Sequence, residues 1–329
     1  MAARMPGFSG PVTLAKFAGG QSNPTYRVDT GGQSYVLRRQ PFGKLLPSAH
    51  AVNREYRLIA ALHPIGFPVA KPCFGLCADD AVIGSMFYMM ELVDGRTLWD
   101  GTLPGMTPSE RAAHYHAMID TLAALHAIEP AAVGLGDYGK PGNYFERQVA
   151  RWTRQYRASE TDAMPAMEKL IEWLPRTVPE QTRTSIVHGD YRIDNMIFAA
   201  DEPRVVAVLD WELSTLGDPL ADFSYFLMSW VTQPEGRSGV MGMTGDATGI
   251  PTIEQVVARY CAATGRDGVP DLNWYFAYNL FRLAGIVQGI KQRLRDGNAS
   301  SAQAAQTVER LPALVDAAWG FAVKAGATQ

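Results

Sequence analysis

Cysteine is scarce: Cys73, Cys77 and Cys261 are the whole complement. A set this sparse, and odd in number, excludes a disulfide framework. Cys73 and Cys77 stand four apart with no second ligand pair nearby, which argues against structural zinc. No apolar run reaches the roughly 18 residues a bilayer span needs. The opening MAARMPGFSGPV lacks the apolar stretch of a secretory signal. From both absences we expect a cytoplasmic protein with no membrane partner. Excess positive charge is missing as well. The chain has 30 Lys+Arg against 33 Asp+Glu, a net charge of −3, so no global field would capture nucleic acid. Internal repeats and low-complexity tails are absent.

What is present is an ordinary globular composition, 47% hydrophobic and 19% charged, over 329 residues. That length supports one large domain or two packed lobes. The first ninety or so residues read as short strands with one helix. Residues 25–28 and 34–38 are β-rich, and Asp29-Thr30-Gly31-Gly32 between them signals a hairpin turn. Residues 48–62 carry Val52, Tyr56, Ile59 and Ala60 at helical spacing, with Ser48 as candidate N-cap. Residues 86–93 read as a buried strand running into Asp94-Gly95. Helices dominate from there. Thr107-Pro108-Ser109-Glu110 opens one that should run to about Ile128. Others are expected over 143–158, 164–174, 218–231, 252–263, 273–295 and 300–324, with a mobile Gly/Met/Thr-rich loop over 237–249. A second β patch, residues 185–188, 196–198 and 205–209, interrupts them. Strands first and helices later, with a strand patch between, indicate an α+β protein of two lobes.

The most informative segment is SIVHGDYRIDNMIF, residues 185–198, followed by VVAVLDW at 205–211. Phosphoryl transfer requires a carboxylate that takes the acceptor's proton. It also requires an amide oxygen and a second carboxylate that hold magnesium against the phosphates. Asp190, Asn195 five residues on and Asp210 twenty on provide that set at the spacing of a protein-kinase catalytic loop. Each alone would be an unremarkable turn acid or loop cap; together, between apolar strands, they indicate a site. Arg192 is a candidate to neutralise the transferring phosphate, the alternative being a salt bridge with Asp194. His126 reads as a core histidine. His188 reads as a brace for the loop.

HGDYRIDN, residues 188–195, resembles the catalytic loop of the aminoglycoside phosphotransferase and choline kinase superfamily. LDWELSTLGDPLAD, residues 209–222, is similar to the kinase-like domain fused to some eukaryotic acyl-CoA dehydrogenases and to its stand-alone bacterial relatives. Residues 281–289, FRLAGIVQG, fit the same subgroup. The resemblance covers roughly residues 15 to 320. It implies a bilobal protein-kinase-like fold with a small β-rich nucleotide-binding lobe over 1–93. A hinge near 89–96 and a mainly helical catalytic lobe over 97–329 would follow. It implies ATP, with GTP as the alternative, and Mg2+. Gly19, Gly20, Gln21 and Ser22 become the phosphate-covering loop. Arg38 takes the place of the usual strand lysine and Glu55 that of its ion-pair partner. Adenine is expected on the backbone of Glu91 and Val93. Asp222 is expected to fix the catalytic loop through backbone amides, and Asp218 to support the metal loop. The partner is a small-molecule hydroxyl acceptor, a hydroxyacyl-CoA or hydroxy acid, taken by a monomer or homodimer. Arg282, if it points inward, favours an anionic or neutral acceptor. The competing readings are an aminoglycoside- or choline-type kinase, a nucleotide-binding pseudokinase and a protein kinase. The last is disfavoured because no Ala-Pro-Glu segment follows Asp210.

Overall fold

The computed structural model describes Met5 and residues 8–17, 23–43, 50–234, 238–297 and 304–328. The expected phosphate-covering loop, Gly19 to Ser22, lies outside the described residues, as do Ser48, Arg237 and residues 300–303.

The β-rich first part forms one antiparallel sheet of order β1-β2-β3-β5-β4. Its strands are β1 Val12–Lys16, β2 Thr25–Thr30, β3 Gln33–Arg39, β4 Pro72–Cys77 and β5 Phe87–Glu91. The hairpin signal is realised: Thr30 pairs with Gln33, and Gly31 (φ 53°) and Gly32 (φ 83°) supply the positive φ that a tight two-residue turn needs. Strand alternation then separates two faces. Val28, Tyr35, Leu37, Phe74, Phe87 and Met89 form one small core. Val36, Arg38 and Tyr88 turn to the other side, where α1 (Val52–Leu62) buries Leu58, Ile59 and Leu62. β1 and β4 were not legible as strands. β1 is a wholly exposed edge, and β4 opens with Pro72 and contains Gly75, which an edge position tolerates.

After a single turn, α2 (Asp80–Ile83), and the short strand β6 (Arg96–Thr97), helices take over. α3 (Pro108–Ala127) starts at a complete capping box in which Thr107 and Glu110 satisfy each other's backbone N–H. α4 (Tyr144–Ser159) and α5 (Pro165–Trp173) follow. The middle β patch is β7 (Ser185–Val187), β8 (Met196–Phe198) and β9 (Val205–Val208), with β10 (Thr215–Gly217) closing on β7. β6 joins β8 and β9 in a three-stranded sheet. The helices α6 (Leu220–Phe226), α7 (Ile253–Thr264) and α8 (Leu272–Arg295) complete the site-bearing part. α8 packs against α4 and α6 and buries Trp274 to Phe281 almost without interruption.

Two helix expectations need correction. The helix expected over 218–231 is α6 followed by a 3-10 segment, Leu227–Val231. That over 300–324 is two helices, α9 (Ala304–Glu309) and α10 (Leu311–Lys324). Pro312 explains the break, since it lacks the N–H that would continue the ladder. The described part of the Gly/Met/Thr-rich loop is anchored at Val240, which is fully buried and whose N–H bonds Ser229 O at 2.7 Å, while residues 241–243, 246 and 247 are exposed.

Candidate active site

Two strands deliver the central residues. β7 ends in a buried apolar run, and the chain then turns sharply at Gly189, with φ at 88°. A Cβ there would stand 2.9 Å from both the Cβ and the carbonyl oxygen of Leu213, so only glycine fits. Asp222, wholly buried on α6, accepts the His188 N–H at 2.5 Å and the Gly189 N–H at 2.8 Å, one on each carboxylate oxygen. Burial alone would raise its carboxyl. Hydrogen bonding and charge from His126, then His188 and the Gly189 N–H, outweigh burial and hold it below the ordinary carboxylate range. His188 is used up as a brace. Its Nδ1 accepts the Asp190 N–H at 3.1 Å, so its Nε2 carries the hydrogen donated to Leu209 O at 2.8 Å. His126 is buried between Tyr260, 2.7 Å from its Nδ1, and Asp222, 3.5 Å from its Nε2. Both histidines sit as the sequence reading had them. Asp218, buried just before α6, accepts the Leu220 N–H at 2.9 Å.

Asp190 and Asn195 meet directly. The Asn195 Nδ2 donates to Asp190 O at 2.8 Å and to Asp190 Oδ2 at 3.0 Å. The amide nitrogen must face these acceptors, which leaves Asn195 Oδ1 for something else. Leu209 N–H bonds Asn195 O at 2.8 Å, so the end of β9 is tied to the same loop. Asp210 follows in the left-handed conformation, φ 64° and ψ 57°, which swings its carboxylate out of strand register. Its side chain is 40% exposed and that of Asp190 22%, so both face open space. Arg192 lies between two carboxylates: Nε is 3.2 Å from Asp190 Oδ1 and Nη2 is 3.0 Å from Asp194 Oδ2. The salt bridge with Asp194 and the proximity to Asp190 thus coexist.

Arg38 reaches the same place from β3. Its Nε donates to Glu55 Oε2 at 2.7 Å and its Nη2 to Asp210 Oδ1 at 2.9 Å, with Glu212 Oε2 at 3.8 Å. Glu55 is buried on α1; burial raises its carboxyl, and the Arg38 charge only partly offsets this. Arg39 points away, its guanidinium stacked 3.7 Å from the centre of the Phe42 ring. Between β3, β5 and β9 lies a cleft of about 410 Å³, within the usual size of small-molecule sites. Val36, Arg38, Glu55, Glu91, Val93, Asn195 and Asp210 all line it. Thr25 and Tyr88 line it too and were not singled out from the sequence. Thr25 Oγ1 accepts from Arg38 Nη1 at 3.2 Å, a contact that only strand pairing discloses.

The description "Phosphotransferase enzyme family" applies to a family model that matches residues 13–275. The chain belongs to this family. By that membership it is a small-molecule kinase with the kinase-like fold of a small antiparallel lobe and a helical lobe. Acyl-CoA dehydrogenase family member 10 of Mus musculus is 45% identical over 321 residues, 97% of this chain and 30% of that protein. Acyl-CoA dehydrogenase family member 11 of Homo sapiens is 42% identical over 292 residues, 88% of this chain and 37% of that protein. The chain therefore spans about a third of the length of these relatives. A crystal structure from Ralstonia eutropha, described provisionally as an aminoglycoside phosphotransferase, has a TM-score of 0.90 at 49% identity. It covers 99% of this chain and 96% of that one. A thermostable mutant of aminoglycoside phosphotransferase APH(4)-Ia, solved with ADP and hygromycin B, shares the fold at 18% identity. Its TM-score is 0.57, with coverage of 93% of this chain and 94% of that one.

The family's fold thus carries Asp190, Asn195, Asp210, Arg192, Arg38 and Glu55 into one neighbourhood, with Glu91 and Val93 at the far wall of its cleft. Two further residues were missed or left open. Tyr225 lies beside Asp190: burial first, then the Asp190 charge, raises its phenol. Arg282 points inward and donates from Nη2 to Gly189 O at 2.9 Å. Among the described residues no helix is long and apolar enough to cross a membrane.

Proposed function

We propose that the protein transfers the γ-phosphate of ATP, with GTP as the alternative nucleotide, to a hydroxyl of a small molecule in a magnesium-dependent reaction. The observation that carries this reading is that Asn195 and Asp210 line one cleft and that Asn195 holds Asp190 beside it, bonded at 3.0 Å.

The donor set suits a hard cation. Asn195 Oδ1 and the Asp210 oxygen not bonded to Arg38 are oxygen ligands, and magnesium takes only one or two such groups from protein. When bound with the nucleotide, magnesium neutralises phosphate charge. The chain's own residues do the rest. Adenine lies against the backbone of Glu91 and Val93. Arg38, locked by Glu55, offers its remaining donor edge to phosphate oxygens. Asp190, oriented by Asn195, accepts the proton of the attacking hydroxyl. Arg192, anchored by Asp194, stands 3.2 Å from Asp190 and meets the charge on the moving phosphoryl group. A hydroxyacyl-CoA or hydroxy acid is the proposed acceptor. The kinship with acyl-CoA dehydrogenase family members supports it. A pseudokinase reading is disfavoured because Asp190, Asn195 and Asp210 are all present.

Two variants test the assignment. Asp190→Ala should abolish phosphoryl transfer, followed as ADP release, yet leave nucleotide affinity within about threefold by calorimetry, because the residue acts on the acceptor's proton. Asp210→Ala should lose the magnesium-dependent part of nucleotide affinity. Wild-type turnover in the first, or unchanged magnesium dependence in the second, overturns the corresponding role.

A further inference from the structure

α8 carries no acidic residue in its 24 positions, LNWYFAYNLFRLAGIVQGIKQRLR. Its neighbour α4 carries Arg147, Arg151, Arg154 and Arg157 against the single acid Glu146. These two helices pack together; Arg157 and Lys291 are paired with Glu160, Glu168 and Asp162, and Arg282 is the residue by which α8 reaches the catalytic loop. The Arg282 guanidinium lies 5.0 Å from the ring centre of Tyr225 and 5.9 Å from that of Trp152. Among the described residues its one hydrogen bond goes to Gly189 O, the carbonyl next to Asp190. Among the described residues no carboxylate comes within 4.0 Å of it, and its Nε and Nη1 are neither bonded nor sealed from the surface. The Trp152 indole N–H is buried without an acceptor. Arg151 approaches the same indole as Arg282, its guanidinium 5.5 Å from the Trp152 ring centre.

A half-buried cation among aromatic rings without an ion-pair partner is costly unless something of opposite charge completes it. Every other arginine that the site uses is already paired: Arg38 with Glu55 and Asp210, Arg192 with Asp190 and Asp194. We infer that Arg282, supported by Arg151, is the anion seat of the acceptor site and selects an acceptor bearing a carboxylate or phosphate group. A polycationic acceptor would be repelled by the same pair. The inference rests on the phosphotransfer reading above and adds to it the residues that seat the acceptor's anionic group.

The probes are straight-chain hydroxy acids of increasing length, the matching diols and amino alcohols, and the CoA thioesters of the same hydroxy acids. Each is scored by calorimetric binding and by ADP release with magnesium and ATP. Either the free acids or the CoA thioesters should bind at least about tenfold more tightly than the diols, with the amino alcohols weakest. Whichever anionic arm is preferred identifies carboxylate or phosphate as the group seated. Arg282→Met should raise Kd and KM for that arm about tenfold or more but those for the diols by less than about threefold, with ATP affinity held within the same limit, and Arg282→Lys should recover part of the loss. A kcat loss of equal size on every acceptor would reduce Arg282 to a brace for Gly189 and overturn the inference. So would diols or amino alcohols binding as well as the anions, or anions that do not bind at all. Failure of the phosphotransfer reading itself looks different: ATP neither binds nor releases ADP in the wild-type protein.

Discussion

Arg38 shows how much one side chain holds at this site. It is 7% exposed and ties the buried Glu55 to the open Asp210. Arg38→Met leaves Glu55 buried without its cation, which should cost about 3–5 kcal/mol in urea unfolding near neutral pH. The folded-state Glu55 carboxyl is already raised above its ordinary value by burial, and losing Arg38 raises it further. A raised folded pKa means that the folded state binds more protons, so stability falls as pH rises through the window above the unfolded value. The deficit of the variant should therefore shrink as pH drops toward the usual glutamate range. A deficit that stays constant with pH would show that Glu55 is not the group left uncompensated. Residue type and spacing pointed to Asp190, Asn195 and Asp210, and the family resemblance pointed to Arg38 and Glu55. The sequence was silent on Thr25, Tyr88 and Tyr225, whose roles come from strand pairing and helix packing rather than from local pattern.

Among the elements, those with strong end signals were read well. α3 begins where Thr107-Pro108-Ser109-Glu110 said it would, and the capping box satisfies two N–H groups that helix starts leave orphaned. Thr107→Ala should cost about 0.5–2 kcal/mol by chemical denaturation. An unchanged midpoint would mean that tertiary packing alone sets this start. Weak signals misled. The continuous apolar periodicity of the last segment concealed the break at Arg310, although Pro312 was there to mark it. The two-residue strand β6 and three-residue β10 are too short for any periodicity; they exist because β8 and β7 lie alongside. The helix α8 was legible in full, but the direction in which Arg282 leaves it was not.

At the scale of the whole molecule, several polar ties besides Arg38–Asp210 join the sheet-bearing part to the helical part. Val208 N–H bonds Pro68 O at 2.8 Å. Arg54 on α1 donates to Tyr138 O at 2.6 Å and Ser214 O at 3.4 Å, and its guanidinium lies 4.2 Å from the Tyr138 ring centre. Arg54→Ala should lower stability by about 1.5–3 kcal/mol, the range for hydrogen bonds to charged groups. It should also weaken nucleotide binding, because α1 carries Glu55 against Arg38. A variant with unaltered unfolding and nucleotide affinity would remove this tie from the account. The sequence by itself determined the order of strands and helices and the chemical identity of the central carboxylates, because turn residues, periodicity and motif spacing are local properties of the chain. Only the tertiary structure decided that Arg38 reaches Asp210, 172 residues away, and that Arg282 bonds Gly189 O, 93 residues away. Such contacts depend on which faces of distant elements pack together, and no local pattern encodes that.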